Sequence, residues 1–376
     1  MRATPQRIIV LLALLALVSA VPLGCAASTP VPAATQAPAP TSAPAETQAP
    51  APTAVPATTA EPATSAAAAF YKDQILTILV TSPAGSTNDI YARLIAPYLE
   101  ELTGVKIVVE NKTAGGGLVA QNDFYRIAKP DGLTVMFEAT GRLWPGYLMQ
   151  QKGIEYDITK FQYMAGIKGG PYVLGVSPTG QYTTVDLLKN GKNLKVPTST
   201  ATSIISLAAM GATEALKLDA KLVIGVASDA AYLALQQGEG HFMVRAFDSV
   251  IRYEAQGQFK PLAQLGEKRD SLAPDVPTIG ELTTLTADQK NLLGVLFPEA
   301  KVFMAPPGTP QDRVQFLDES ITKILDNTEF QNKMKDQFGI WFGAYTAKES
   351  QDQISYLSNN MDEFKLYSSL IEKYVQ

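Results

Sequence analysis

Two consecutive strand–loop–helix units, beginning at residue 75, constrain the fold of this chain more than any other feature. In the first unit, the apolar and largely β-branched run Ile75–Val80 predicts a buried strand, and Gly104 is placed to end the helix that follows. In the second unit, a strand over residues 105–110 leads into a loop with three consecutive glycines and then into another helix. Neighbouring parallel strands bring such loops together at one edge of a sheet, where α/β proteins bind ligands. The chain is therefore predicted to be an α/β protein with a ligand site at these two loops.

Both loops are suited to holding an anion with main-chain groups. The N–H groups at the start of a helix carry partial positive charge, and glycine lets a ligand approach the backbone closely. Neither loop has the Gly-Lys-Ser/Thr of a phosphate-binding loop or the Gly-x-Gly-x-x-Gly spacing of a dinucleotide site, and an ordinary turn is the alternative for each loop alone. The candidate ligand-binding residues are Ala84, Gly85, Ser86, Thr87, Asn88, Ala114, Gly115, Gly116, Gly117 and, after the next predicted strand, Thr140.

A third loop of this kind lies in the second half of the chain. Residues 198–203 are rich in hydroxyl side chains and precede a predicted helix, so they offer hydrogen-bonding groups and a helix start to a shared cleft. A cap or a turn is the alternative role for each residue taken singly, and the functional interpretation depends on the loops converging. The candidates in this loop are Thr198, Thr200, Thr202 and Ser203.

The first 25 residues are typical of a secretory signal. Arg2 and Arg7 precede an apolar segment that is too short to span a membrane, and the segment ends near Cys25, the only cysteine of the chain. We therefore expect residues 1–25 to be a lipoprotein signal peptide and Cys25 to carry the lipid that anchors the protein to a membrane surface. A soluble secreted protein is the alternative, because Pro22 stands where such signals usually have leucine.

The next segment, residues 26–69, consists almost entirely of Ala, Pro, Thr, Ser and Gln. Such a composition buries too little apolar surface to offset the entropy of ordering, so a disordered tether is predicted there. The remaining residues, 70–376, are numerous enough for two domains of ordinary size.

Composition argues against several classes of function. The chain has one histidine, His241, and no cysteine after residue 25, so a typical zinc site is not expected, and no Gly-x-Ser-x-Gly motif announces a hydrolase. The formal net charge of −5 and the absence of a basic run argue against binding to nucleic acid. We therefore predict no catalytic residue, no metal, no cofactor and no enzyme activity.

Five motifs, taken in order, resemble the substrate-binding proteins of tripartite tricarboxylate transporters, the TctC or Bug family. The resemblance extends from about Ile75 to the C-terminus and depends on the order of the motifs, since each alone is weak. The motifs are Pro83-Ala84-Gly85 with Asp89 and Ala92-Arg93, then Val109-Glu110-Asn111-Lys112, then Ala128-Lys129-Pro130-Asp131-Gly132-Leu133-Thr134, then Ala273-Pro274-Asp275-Val276-Pro277-Thr278-Ile279-Gly280-Glu281, and then Ala305-Pro306-Pro307-Gly308-Thr309-Pro310.

The resemblance implies a type II periplasmic-binding-protein fold, with two α/β lobes, hinge strands and a cleft between the lobes. On this basis we expect residues 70–171 and 297–376 to form lobe I and residues 172–296 to form lobe II. Asp248 ends a predicted strand where the family often has an aspartate near the cleft, and it is suited to an ammonium group or to the backbone. Ser86 and Leu118 replace residues usual in the family, and the lobe II half departs further, which leaves the identity of the ligand open.

The expected function is that of an extracytoplasmic solute-binding lipoprotein, anchored to the cell membrane, that captures a small organic anion for a membrane transporter. A carboxylate is the expected ligand, and integral-membrane permease subunits are the expected partners. The alternative is a ligand-sensing receptor that signals to a membrane partner without transport.

Overall fold

The computed structural model describes residues 63–375, except residues 227, 267, 295, 297 and 298. The expected signal segment, Cys25 and most of the expected tether lie outside the described residues. Within the described part, no helix is both long and apolar enough to cross a membrane.

The described chain alternates between strands and helices. The strands are β1 (Ile75–Val80), β2 (Lys106–Asn111), β3 (Thr134–Ala139), β4 (Gln162–Gly170), β5 (Tyr172–Val176), β6 (Leu194–Pro197), β7 (Ala220–Val223), β8 (Met243–Ala246), β9 (Lys260–Leu265), β10 (Glu299–Ala305) and β11 (Ala344–Tyr345). The helices are α1 (Ala63–Tyr71), α2 (Thr87–Thr103), α3 (Leu118–Arg126), α4 (Thr140–Leu148), α5 (Val185–Asn190), α6 (Ile204–Leu216), α7 (Ser228–Gln237), α8 (Phe247–Ala255), α9 (Ile279–Leu282), α10 (Ala287–Gly294), α11 (Gln311–Leu325), α12 (Thr328–Phe338), α13 (Ala347–Asn359) and α14 (Met361–Tyr374).

The first sheet has six strands in the order β11-β4-β10-β3-β1-β2. β1 pairs in parallel with both β2 and β3, as the tandem units predicted, whereas β10 pairs antiparallel with β3 and β4. The carboxyl ends of β1, β2 and β3 therefore lie at one edge, and the loops that follow them meet there. We call this sheet and the helices packed on it lobe I.

The second set of strands forms a three-stranded antiparallel sheet, β8-β5-β9, and a parallel pair, β6-β7. We call these strands and their helices lobe II. The chain enters lobe II at Pro171, between β4 and β5, and returns between β9 and β10. α8 follows the last residue of β8 but packs against β4 and α12 of lobe I, so it lies at the junction of the two lobes.

α2 buries a different face from the one that the sequence suggested. Ile90, Leu94, Tyr98 and Leu102 recur at helical spacing, but Leu102 is 51% exposed and the other three are only partly buried. The buried face is one residue further on and includes Tyr91, Ile95 and Leu99. Both faces of α2 carry apolar residues, so periodicity alone did not distinguish the face that contacts β1 and α11.

The expected tether is too long at its C-terminal end, because α1 occupies residues 63–71. A run of alanines favours helix, and α1 also has a partner, since it packs against α11. Tyr71 is fully buried, stacks on Phe316 with ring centroids 5.4 Å apart, and donates a hydrogen bond to the carbonyl of Gly132 at 3.0 Å. The folded part therefore begins before residue 70.

Two parts of the chain are more helical than turn residues indicate. α4 continues through Pro145 to Leu148, although proline is typical of a turn. The C-terminal part has two helices, α13, which begins with a capping box of Thr346 and Glu349, and α14, which begins after Asn360. α14 packs on α6, α10 and β7 of lobe II as well as on α4 of lobe I. The expected assignment of residues 297–376 to lobe I therefore does not describe α14, which contacts both lobes.

Candidate functional site

A cavity of about 420 Å³ lies between the loops of lobe I and those of lobe II. This volume is in the range of small-molecule sites. Pro83 and Gly115, which belong to the two tandem loops, both line it, and so do Thr200 and Ser203 from the hydroxyl-rich loop of lobe II. The three loops singled out from the sequence therefore meet at one place.

Five helices begin at the wall of this cavity. The residues that precede α2, α4, α6 and α8 (Ser86, Ala139, Ser203 and Ala246) line it, and α3 begins directly after the glycine loop. The Ser86 and Ser203 side chains cap their helices by accepting hydrogen bonds from N–H groups three residues later. Because each helix start carries partial positive charge, five helices together make the cavity favourable for an anion.

Asp89 fixes the loop between β1 and α2. Its carboxylate accepts hydrogen bonds from the backbone N–H of Gly85 at 2.8 Å, from Arg93 Nε at 3.0 Å and from Asn111 Nδ2 at 3.0 Å. Burial acts to raise the pKa of Asp89, but the bonds from Arg93, Gly85 and Asn111 outweigh it and lower the pKa. Since Asn111 ends β2, this carboxylate joins the two tandem loops.

The glycine loop has a backbone that other residues rarely adopt. Gly115, Gly116 and Gly117 have φ angles of 61°, 70° and 99°, all in the left-handed region. A Cβ at Gly117 would lie 2.8 Å from the side chain of Thr81, so the glycine loop also packs too closely on the loop after β1 for a side chain there. Glycine is therefore required both by conformation and by space.

Glu138 is a fully buried carboxylate directly behind the lobe I wall. Its oxygens accept hydrogen bonds from side chains on three different elements, and a guanidinium lies close by. The partners are the hydroxyl of Thr81, Asn88 Nδ2 at 3.1 Å, Gln121 Nε2 at 3.2 Å, the N–H of Ala139 at 2.8 Å and, as an ion pair, Arg142 Nε at 3.6 Å. Burial raises the pKa of Glu138 above its ordinary value, although Arg142 and the hydrogen bonds act in the opposite direction.

A second buried network joins the two lobes at the floor of the cavity. Lys301 of β10 forms an ion pair with Asp248 of α8 at 2.5 Å, and Asp248 also accepts a hydrogen bond from Tyr91 at 3.2 Å. Beside them, Tyr172 of β5 donates to the carboxylate of Glu299. Burial raises the pKa of Glu299 and holds that of Tyr172 well above its usual range.

The lobe II wall carries two guanidinium groups next to two stacked rings. The rings of Tyr232 and Tyr253 lie 3.6 Å apart, and the Arg252 guanidinium lies 4.8 Å from the centre of the Tyr253 ring. Arg245 is 3% exposed and donates to the carbonyl of Val244 at 2.9 Å. All four side chains line the cavity, so this wall offers both cationic and flat aromatic surface.

The two lobes touch at the mouth of the cavity. Thr202 of lobe II donates a hydrogen bond to the side chain of Gln151 of lobe I. A Cβ at Gly116 would lie 3.8 Å from the methyl group of Thr200, which places the glycine loop against lobe II. A ligand of this cavity would therefore contact both lobes.

The structure brings together about half of the residues that the sequence suggested. Those that line the cavity are Ser86, Thr87, Asn88, Gly115, Gly116, Thr200, Thr202 and Ser203. Those absent from its wall are Ala84, Gly85, Ala114, Gly117, Thr140, Thr198 and Asp248. The lipidation site proposed at Cys25 lies outside the described residues.

Three of the residues absent from the wall have other partners. Asp248, which was suited by the sequence to an ammonium group or to the backbone, pairs with Lys301 and accepts a hydrogen bond from Tyr91, so it holds the lobes together. The hydroxyl of Thr140 accepts from the N–H of Ala300, and that of Thr198 bonds to Ser206. Their side chains therefore stabilise the loops behind the cavity.

Four cations on the cavity wall were missed by the sequence reasoning: Arg142, Arg245, Arg252 and Lys301. Three of them gave a local signal. Arg142 follows a strand closely, and Arg245 and Lys301 interrupt apolar strands, where a charge is costly unless it has a function or a partner. Within the described residues, no group of three His, Cys, Asp or Glu side chains is placed to hold a metal ion.

Two α/β lobes, joined by crossing strands around a cavity, have the fold of the periplasmic binding proteins. Solved structures agree with this fold. The chain is similar to MatC from Rhodopseudomonas palustris with bound malate (TM-score 0.64, 22% identity, 79% of this chain and 99% of that one). It is also similar to an R. palustris protein solved with adipate (TM-score 0.65, 20% identity, 79% of this chain and 97% of that one). The predicted two-lobe fold is thus confirmed.

The family follows from a sequence model. The model of the tripartite tricarboxylate transporter family receptor, TctC, matches residues 91–373, and the chain belongs to this family of solute-binding proteins. A UPF0065 protein of Bordetella bronchiseptica is 24% identical over 295 residues, which cover 77% of this chain and 83% of that protein. The protein BugT of Bordetella pertussis is 23% identical over 272 residues, which cover 69% of this chain and 79% of BugT. The resemblance seen in the motifs is therefore confirmed.

Proposed function

We propose that this protein is an extracytoplasmic receptor that captures a small organic anion with more than one acid group, a di- or tricarboxylate, and passes it to membrane permease subunits. The single observation that carries the proposal is the convergence of five helix starts on one cavity. Membership of the TctC family supports the link to a transporter. The malate and adipate bound in two similar structures are both dicarboxylates.

The two ends of the cavity suggest how such an anion is held. One acid group is placed at the starts of α2 and α3, where main-chain N–H groups and Ser86 can donate to it. The other is placed at the lobe II wall, near Arg245 and Arg252, since guanidinium groups pair strongly with carboxylates. The carbon chain between the acid groups lies against Tyr232 and Tyr253. Closure of the lobes over the ligand then excludes water from both ends.

Calorimetric titration of the mature protein tests the proposal. We expect malate, adipate or citrate to bind, and we expect adipate to bind more tightly than hexanoate, which lacks the second acid group. In the variant Arg252→Gln this preference for adipate should fall by about tenfold, because a hydrogen bond to a charged group is worth roughly 1.5–3 kcal/mol. The control variant Arg269→Gln, whose side chain pairs with Glu281 outside the cavity wall, should keep the preference. Absence of binding by every di- and tricarboxylate tested would overturn the proposal.

We also propose that lipid on Cys25 anchors the protein to the cell membrane. The support is the sequence alone, namely a basic start, an apolar segment and the single cysteine. Labelling of cells with a radioactive fatty acid should mark the wild-type protein and not the variant Cys25→Ser. A labelled Cys25→Ser protein would contradict the anchor but would leave the ligand site unaffected.

A further inference from the structure

Glu138 is a buried group that contacts several elements of the lobe I wall at once. It lies next to the end of β3 and is 0% exposed. Thr81 belongs to the loop after β1, Asn88 to the first turn of α2, and Gln121 to the first turn of α3, and each donates to the same carboxylate. Arg142, from the first turn of α4, completes the set with its ion pair. The carboxylate therefore connects four of the segments that carry the wall.

The partners of Glu138 are themselves part of the cavity wall. Thr81, Asn88, Gln121 and Arg142 all line the cavity, whereas Glu138 does not. Arg142 extends this connection, because its guanidinium also donates to the carbonyl of Gly116 at 2.6 Å and so holds the glycine loop. A ligand at the wall would thus meet side chains whose positions depend on a carboxylate that it cannot touch.

The charge of Glu138 is unexpected behind a site for anions. A buried carboxylate repels an anionic ligand and is itself costly to desolvate, so simple electrostatics favours its removal. Asn88 Nδ2, Gln121 Nε2 and the Ala139 N–H can only donate, and an ionised carboxylate accepts from all three and from the Thr81 hydroxyl at once. The geometry therefore favours the negative charge even though the ligand does not.

We propose that Glu138 is a positioning residue, whose ionised carboxylate aligns Thr81, Asn88, Gln121 and Arg142 for binding of the ligand. The inference rests on the proposed function, since it assumes that an anion occupies this cavity. A positioning role and simple charge repulsion predict opposite changes in anion affinity when Glu138 loses its charge. Loss of the charge at Glu138 should weaken anion binding if the residue positions the wall, and it should strengthen binding if the residue only repels.

Other charged groups also act on Glu138. Arg142 and Lys301 favour its ionised form, and Glu299 on β10 is a second buried carboxylate that interacts with it. Tyr156 is close enough to feel its charge. Since burial raises the pKa of Glu138, its protonation begins at a higher pH than that of an exposed glutamate. A fall in affinity on acidification is therefore expected from the wild-type protein itself.

The test is a calorimetric titration with the ligand that the wild-type protein binds most tightly among malate, adipate and citrate. The variant Glu138→Gln should bind at least about tenfold more weakly while remaining folded, by analogy with the residues that orient metal ligands, whose loss typically costs about 10–100-fold in metal affinity. The control Glu329→Gln removes a 69% exposed carboxylate paired with Lys333 and should bind as the wild type does.

A pH series provides a measurement that does not depend on the variant folding. After correction for the separately measured ionisation of the free ligand, wild-type affinity should fall as the pH is lowered, and Glu138→Gln should lack this fall. An unchanged or stronger affinity of folded Glu138→Gln would overturn the inference, and so would a wild-type affinity that is flat or rises on acidification. If the wild-type protein binds none of the three ligands, the proposed function itself fails, and this outcome is distinct from the other two.

Discussion

At the scale of single residues, Gly116 combines a backbone requirement with a place in the cleft. Its φ angle of 70° is in the left-handed region, it lines the cavity, and a Cβ there would point at Thr200 across the mouth. Gly238 provides a matched comparison, because its φ angle is 74° but a Cβ there would meet nothing within 4 Å. The two glycines therefore have similar φ angles but different surroundings.

We expect Gly116→Val to lose ligand binding and Gly238→Val to retain it. Both variants should lose stability by a similar amount, about 1–2 kcal/mol, because both force a side chain into the left-handed region. Only the valine at residue 116 fills space between the lobes, so closure over a ligand is obstructed. Urea unfolding and calorimetric titration of both variants check this, and equal binding by the two would show that the glycine loop does not face the ligand.

The residues that sequence reasoning found are those whose signal is local. A serine or threonine before a helix, or a glycine run after a strand, indicates a helix start that can bind an anion, and Ser86, Ser203 and Gly116 were found in this way. Arg245 and Lys301 gave a weaker signal, because each interrupts an apolar strand but reaches the cavity only through the pairing of strands distant in sequence. The sequence does not distinguish Asp248, bound to Lys301, from a ligand-binding aspartate.

At the scale of elements, β10 and α8 are held together by a buried ion pair. Lys301 and Asp248 have side chains that are 3% and 0% exposed, and Tyr91 of α2 adds a hydrogen bond to the same carboxylate. A buried pair contributes little net stability when both partners are present, but removal of one partner leaves an uncompensated charge. The pair therefore fixes how α8, with Ser249 and Arg252 on it, sits against lobe I.

Lys301→Met should lower the free energy of unfolding by about 3–5 kcal/mol, because Asp248 would remain buried without its cation. Lys348→Met removes a lysine from an exposed pair with Asp352, whose side chains are 78% and 65% exposed, and should cost less than about 1 kcal/mol. Chemical denaturation of the two variants measures the difference. A loss for Lys301→Met as small as that for Lys348→Met would mean that the buried pair does not hold the lobes.

The elements themselves were predictable to different degrees. The strands β1, β3 and β6 follow from short apolar runs bounded by turn residues, and their observed bounds agree with that pattern closely. α4 was not predicted, because Pro145 suggested a break. Proline removes only one backbone N–H from this helix, and the ion pair of Arg142 with Glu138 holds the first turn of the helix in place. Such tertiary partners are invisible to a local pattern.

At the scale of the whole molecule, α14 adds a third connection between the lobes. It packs on α4 of lobe I and on α6, α10 and β7 of lobe II. Its contacts with lobe II are specific, since the hydroxyl of Tyr367 donates to the carbonyl of Leu292 and Tyr374 donates to Glu214 at 2.6 Å. Opening of the cleft therefore requires α14 to move with lobe II and to slide on α4, or to detach from one of them.

Tyr367→Ala tests whether the C-terminal helix supports lobe II. Tyr367 is fully buried, so its truncation should cost about 3–5 kcal/mol, whereas Tyr356→Ala, at a residue 50% exposed on α13, should change stability by less than about 0.5 kcal/mol. Native-state hydrogen exchange then locates the effect. If α14 holds lobe II, the amides of α6 exchange faster in Tyr367→Ala than in the wild type or in Tyr356→Ala, because α6 loses the helix packed against it. If residues 297–376 serve lobe I alone, exchange in α6 stays unchanged and only lobe I is affected.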